Sequence, residues 1–200
     1  AVVAVFTGAD IEGALNPIPC AWLLPNAELK IAQYRALAQD VVRYVGDAVA
    51  VVVAESPYQA ADALDLIEVD YEPLPATVDP EKAAQKGAPQ LHSEIPGNVA
   101  FHWTVEGGDI GGAFSSAPVV VRDRIIQQRL IPTAIETRGA VAQFTPATGE
   151  LTLWSSTQIP HILRLTLAGV IGVPETRLRV IAPDVGGGFG SKLNVYAEEL

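Results

Sequence analysis

Apolar and polar positions alternate along several stretches of this chain, and most of the expected elements follow from that alternation. Residues 2–6, Val-Val-Ala-Val-Phe, read as a strand closed by Thr7, Gly8 and Asp10. Residues 11–40 contain Pro17, Pro19 and Pro25 with little periodicity, which predicts loops and short elements. Residues 41–46 and 48–54 read as two strands about a turn at Gly46 and Asp47. The second is apolar throughout, as in a strand buried on both faces. Ser56 followed by Pro57 marks a helix start. Ala60, Ala61, Leu64 and Ile67 then place one apolar face on a helix over 58–66. Residues 67–71 alternate as a strand with one wet face, ended by Pro73, Pro75 and Pro80. Strand, helix and strand in that order predict an α/β unit with a right-handed crossover.

Residues 80–100 are polar and proline-bearing, as in a linker. Residues 101–105 read as a short strand, the glycine-rich 107–114 as a loop, and 119–128 as a strand. Residues 140–145 and 150–156 form a hairpin about Pro146-Ala-Thr-Gly149. Pro160 opens a helix that runs to about Ile171. Its apolar stripe is Ile162, Leu165, Ala168 and Gly169, and Gly172 closes it. Residues 177–182 read as a strand and 194–200 as the start of a helix. The expected fold is α+β (mixed α/β), with a first domain over 1–85, a linker over 86–115 and a second domain over 116–200. The chain opens in a strand-like run without Met and stops inside the last helical pattern, as a piece of a longer protein would.

Four of the five positions 186–190 are glycine, between the strand over 177–182 and the helical pattern after 194. Glycine admits positive φ and lets backbone N–H groups approach a ligand that a Cβ would keep away. A helix start adds partial positive charge that favours anions. Two common nucleotide-binding patterns fail here. A dinucleotide fingerprint needs glycine at 191, where Ser191 stands, and a phosphate loop needs Gly-Lys-Ser/Thr, whereas Ser191 precedes Lys192 and Leu193 follows it. A tight turn under close packing is the competing reading.

Composition narrows the choice of partners. The net charge of -10, from 13 basic and 23 acidic residues, argues against nucleic acid. The one cysteine, Cys20, excludes an internal disulfide and reads as a packed or surface thiol. No apolar run approaches the roughly 20 residues of a membrane helix, and no secretory leader is visible. His92, His102 and His161 lack ligand spacing, so no zinc site is expected and no residue is assigned as a metal ligand.

Three motifs in order carry a resemblance. Glu136-Thr-Arg-Gly-Ala140, Ser155-Ser-Thr-Gln158 and Gly186-Gly-Gly-Phe-Gly-Ser-Lys192 are similar to the molybdenum-binding large subunits of the xanthine dehydrogenase and aldehyde oxidase family. Val45-Gly-Asp-Ala-Val-Ala-Val-Val-Val-Ala-Glu55 and Val69-Asp-Tyr-Glu-Pro-Leu-Pro75 resemble that family's α/β-hammerhead domain. Residues from about 116 onward resemble the beginning of its molybdopterin-binding domain. Gln128-Arg-Leu-Ile-Pro-Thr-Ala-Ile-Glu136 and the segment around Gln158 come nearest to the aerobic carbon monoxide dehydrogenase branch.

The resemblance implies oxidation of a substrate carbon, carbon monoxide in that branch, with water-derived oxygen. It implies molybdopterin cytosine dinucleotide with molybdenum as cofactor; any copper would have its ligand outside these residues. It also implies an iron–sulfur small subunit and an FAD medium subunit as partners in a dimer of heterotrimers. The implied location is the cytoplasm, or the inner face of its membrane. Gln158 would hydrogen-bond an oxo ligand on molybdenum. Gly187, Gly188, Phe189 and Gly190 would present backbone N–H groups to the cofactor, with Phe189 walling the pocket. Gln158 and Phe189 are therefore the catalytic candidates. The family's base, a glutamate, lies beyond residue 200, so the fragment alone is expected to be inactive. Plainer readings stand beside these: Gln158 as a helix cap, Phe189 as core, Lys192 as a solvated lysine or a neighbour of the dinucleotide, and Glu136 paired with Arg138. A scaffold without cofactor contact and an aldehyde or N-heterocycle hydroxylase are the alternatives for the whole.

Overall fold

The computed structural model describes residues 1–22 and 24–200, which build two small sheets. Strand β1, Val2–Thr7, pairs antiparallel with β2, Ala50–Ala54, from Val2 opposite Ala54 to Thr7 opposite Ala50. Helix α1, Pro57–Leu64, follows with Pro57 in its first turn, and the Ser56 hydroxyl accepts the Gln59 N–H at 3.3 Å. Helix α1 packs against β2.

The α/β unit expected here does not close. Residues 67–71 join no ladder among the described residues. Alternation selects which face of a strand is apolar, but it supplies no neighbouring strand to bond with. Residues 41–46 also differ from expectation. The Asp47 carboxylate accepts the Arg43 N–H at 3.1 Å and the Asp47 N–H bonds the Tyr44 carbonyl at 3.2 Å, so the segment turns rather than pairs. Strand β2 is not buried on both faces: Val51 and Val53 are exposed.

The expected linker is tied down. Helix α2, Pro80–Ala83, is capped by Asp79. Asn98 donates to the carbonyls of Ala83 and Pro89 at 3.0 and 2.9 Å and accepts the Leu91 N–H at 2.8 Å. The glycine-rich 107–114 does not stay a loop. It runs into helix α3, Ile110–Ser116, where the Asp109 carboxylate accepts the Gly112 N–H at 2.8 Å. Residues 101–105 and 119–128 form no strand among the described residues, and Val119, Val121, Ile125 and Ile126 are exposed.

The second sheet positions the site. Strands β3, Ala140–Thr145, and β4, Glu150–Ser155, form the expected hairpin. Strand β5, Leu178–Ile181, then lies parallel to β4, with Leu151 opposite Leu178 and Trp154 opposite Ile181. Parallel neighbours need a crossover, and helix α4, Pro160–Ile171, provides it. Its buried face is Leu163, Thr166, Leu167 and Val170, whereas Ile162 and Leu165 of the expected stripe are exposed. This helix is apolar nearly all round, so period alone does not choose its face; contact with the sheet does.

Leu153, Leu163, Leu167 and Leu178 form the core between α4 and the sheet. Gly172 ends α4 with a left-handed φ of 71°. Asn16, from the first half of the chain, satisfies carbonyls near that end, bonding Val170 O at 2.9 Å and Gly169 O at 2.8 Å. The terminal 194–200 forms no α-helix, only a 3₁₀ turn at Ala197–Glu199. No helix among the described residues is long and apolar enough to cross a membrane.

Leu163 is 0% exposed at the centre of this core. Leu163→Ala in the complete protein is therefore expected to cost about 2–5 kcal/mol of stability, read by denaturant unfolding. A loss below about 1 kcal/mol would show that the site collapses freely around the deletion.

Candidate functional site

Two adjacent parallel strands deliver the candidate residues to one edge of the sheet. After β4, residues Ser156, Thr157 and Gln158 lead to α4; after β5, the chain runs through Pro183 into the glycine loop. The Gln158 N–H donates to the Lys192 carbonyl at 3.0 Å. The Gln158 side-chain oxygen accepts the Gly190 N–H at 3.1 Å and the Lys192 N–H at 3.3 Å. Both groups facing the carboxamide are donors, so its oxygen turns inward and its Nε2 outward. Gln158 is not the helix cap: Ile159 holds that position, with no side-chain hydrogen bond.

The glycines answer two different demands. Gly187 and Gly190 have φ of 101° and 82°. Gly186 and Gly188 have ordinary φ but no room. A methyl at 186 would come within 2.6 Å of the Glu136 Cβ, and one at 188 would overlap the Gln158 carboxamide. Phe189 adopts the left-handed region at φ 52° and is 75% exposed, so it is not a core residue. Among the described residues, the N–H groups of Gly187, Gly188 and Phe189 and the Gln158 Nε2 donate to no protein acceptor.

Glu136 anchors the loop. Its carboxylate oxygen Oε2 accepts the Gly186 N–H at 2.6 Å and the Lys192 Nζ at 2.9 Å, and Nζ also bonds the Glu136 carbonyl at 2.9 Å. Lys192 is buried, 2% exposed, so the solvated reading fails, and its ammonium is already engaged. The pairing of Glu136 with Arg138 fails as well. Arg138 forms a two-point bond to Glu198 at 3.1 and 3.2 Å and stacks over the Tyr196 ring. The Tyr196 hydroxyl donates to the Ser191 carbonyl and so steadies the exit of the loop. The bond to Lys192, then that from Gly186, hold the Glu136 carboxyl down to about 2. The Ser156 hydroxyl acts in the same direction but makes no well-formed hydrogen bond. Sequence reasoning missed the Lys192–Glu136 pair and Tyr196. Fifty-six positions separate the two charges, and no periodicity links them.

A cleft of about 470 Å³ lies away from the loop, lined in part by Tyr34, Arg35, Arg43 and His92. Of the loop's unpaired amides, that of Phe189 belongs to an exposed residue and that of Gly187 to a half-buried one, whereas Gly188 is buried.

Comparison with known proteins now bears on this geometry. Residues 91–200 match the molybdopterin cofactor-binding domain, and residues 1–75 match the a/b hammerhead domain of aldehyde oxidase and xanthine dehydrogenase. The chain belongs to the xanthine dehydrogenase and aldehyde oxidase family. Within it, the chain is 40% identical over 196 residues to the nicotine 6-hydroxylase large subunit of Paenarthrobacter nicotinovorans, covering 98% of this chain and 24% of that one. It is 39% identical over 211 residues to the carbon monoxide dehydrogenase large chain of Afipia carboxidovorans, covering 98% and 25%.

Among solved structures of this family, quinoline 2-oxidoreductase from Pseudomonas putida 86 is similar with a TM-score of 0.89 at 37% identity, covering 99% of this chain and 25% of that one. Cu,Mo-CO dehydrogenase in its carbon monoxide reduced state gives 0.80 at 36%, covering 99% and 26%. The chain thus spans about a quarter of the length of the curated relatives it matches. The residues present fit a molybdopterin: an anionic, oxygen-rich group meets the Gln158 NH₂ and the unpaired amides of Gly187 and Phe189, in a cradle whose Gln158 wall a Cβ at 188 would displace.

Two outcomes follow from this geometry. Gly188→Ala keeps an allowed backbone but displaces the Gln158 carboxamide, so the complete protein should lose most of its bound molybdenum with little change in melting temperature; unchanged metal content would refute the cradle. Glu136 titrates well below its ordinary 4.5 when folded. Its contribution to stability is therefore present above pH 4.5 and is lost as pH falls from 4.5 towards 2. Melting temperature should fall more steeply over that window for the wild type than for Glu136→Gln, and equal slopes would show that the pair carries no such linkage.

Proposed function

We propose that this chain is the cofactor-holding part of a molybdenum hydroxylase large subunit, with molybdopterin gripped between Gln158 and the 187–189 segment; the Gly190 N–H, expected to face the cofactor, is instead spent on the Gln158 oxygen. The observation that carries this reading is the orientation of Gln158. Its oxygen is occupied by two loop amides, which leaves its NH₂ as a neutral donor beside three unpaired backbone N–H groups. A neutral donor orients an oxo group without adding charge. The Gly187 and Phe189 amides are available to anionic oxygens, the Gly188 amide lies buried behind them, and the exposed Phe189 ring walls that side. Lys192 takes no part in the dinucleotide extension, because its ammonium is buried on Glu136. When bound, the group supplies a two-electron redox couple and a route for water-derived oxygen to a substrate carbon.

The finer reading is oxidation of carbon monoxide, with the cofactor in its cytosine dinucleotide form and electrons passed to iron–sulfur and FAD subunits in a dimer of heterotrimers in the cytoplasm. Carbon monoxide dehydrogenase large chains at 39% and 34% identity support it. Hydroxylation of an N-heterocycle is the second reading, supported by the similarity to nicotine 6-hydroxylase and to quinoline 2-oxidoreductase. The hammerhead part, 1–85, and the cofactor-binding part, 116–200, joined by 86–115, remain our division of the chain.

The test uses the complete protein with its partners. It should contain molybdenum and release cytosine nucleotide on acid treatment, and it should reduce an artificial electron acceptor with carbon monoxide. Turnover of quinoline or nicotine alone would select the second reading. Gln158→Ala should lower metal content or turnover by about a hundredfold, the scale of a lost positioning contact. Unchanged metal and turnover in that variant would leave a scaffold role and overturn the proposal.

A further inference from the structure

The Lys192 side chain has no task in the reading above, yet it is the most buried charged side chain beside the loop. Its side chain is 1% exposed. Burying an ammonium is costly unless it is paired and fully bonded, and Glu136 provides both a carboxylate and a carbonyl at 2.9 Å. The carboxylate oxygen that takes the Lys192 ammonium also takes the Gly186 N–H. A single atom therefore joins the first residue of the loop to the residue that follows Ser191.

The main chain of Lys192 performs a second function. Its carbonyl accepts the Gln158 N–H and the Thr157 hydroxyl, and its N–H is one of two donors to the Gln158 side-chain oxygen. With that donor withdrawn, the carboxamide keeps one bond of two. An amide that flips presents an oxygen where it presented NH₂, which turns a donor into an acceptor.

We infer that the pair formed by buried Lys192 and half-buried Glu136 is a positioning latch, which closes the base of the glycine loop and, through the Lys192 backbone, fixes the donor face of Gln158 outward. The latch rests on the reading that Gln158 and the loop hold the cofactor. Lys192 is a positioning residue here: it acts through the loop and Gln158 and touches no reacting atom.

The complete protein tests this, first in a preparation made without molybdate or pterin synthesis, so that loop order is measured without ligand. Hydrogen–deuterium exchange of the hydrogen-bonded loop amides, Gly186 and 190–193, should rise by about tenfold or more in Lys192→Met, while exchange in β1 and β2 stays at wild-type rates. Glu136→Gln should act in the same direction, and the double variant should loosen the loop no further than the stronger single change, as for a coupled pair. In the loaded protein, the paramagnetic signal of pentavalent molybdenum should shift in Lys192→Met and in the Gln158→Ala molecules that retain metal alike; an unshifted signal in Lys192→Met counts against the latch.

Wild-type exchange at those amides in Lys192→Met, or additive effects in the double variant, overturns the latch. Should Lys192→Met fail to fold, Glu136→Gln carries the same test, because it keeps the side chain's size while removing the charge that pairs with the ammonium; wild-type exchange there overturns the latch equally. A loosened loop supports the latch even where Gln158→Ala loads molybdenum normally, a result that counts against the cofactor reading alone.

Discussion

One carboxylate oxygen holds the site together. Glu136 Oε2 receives a backbone N–H from the entry of the glycine loop and an ammonium from its exit. A run of four glycines in five residues loses more backbone entropy on ordering than an ordinary sequence of that length. Such a run keeps one shape only where its ends are fixed. Closing the loop at its base forces the amides between the anchors into a short arc, and three of them meet no protein acceptor among the described residues. The group that could satisfy them must carry oxygens or negative charge.

The sheet explains why Gln158 is there to meet that arc. Strands β4 and β5 are hydrogen-bonded neighbours running in one direction, so both leave the sheet at the same edge. Ligands of open sheets gather outside the carboxyl ends of parallel strands for this reason. Helix α4 makes the parallel arrangement possible, and the four buried leucines bind it to the strands. The approach of residue 158 to residues 188–190 is thus a property of the core rather than of the loop.

Local structure in the second half of the chain was readable from sequence, because its signals are local. The hairpin β3–β4, the bounds of α4 and the left-handed Gly172 follow from turn and cap chemistry within a few residues. The buried face of α4 was not readable, since Leu163 and Ile162 are equally apolar and only the sheet distinguishes them. Residues 67–71 and 119–128 carry strand patterns but have no partner strand among the described residues. The site divides along the same line. A glycine run and a Gln after a strand mark themselves, whereas the inward turn of Lys192 depends on a glutamate far away in the chain, which spacing does not reveal.

The conformation of Phe189 has its own implication. A bulky side chain in the left-handed region strains the backbone, and this ring lies largely in solvent, so little packing offsets the strain. Glycine would occupy the same φ without strain. The position therefore sets durability against performance: trading the benzyl group for hydrogen should harden the protein against heat while stripping one wall from whatever is seated there, and a library at this codon sorted for thermal tolerance would drift away from one sorted for turnover.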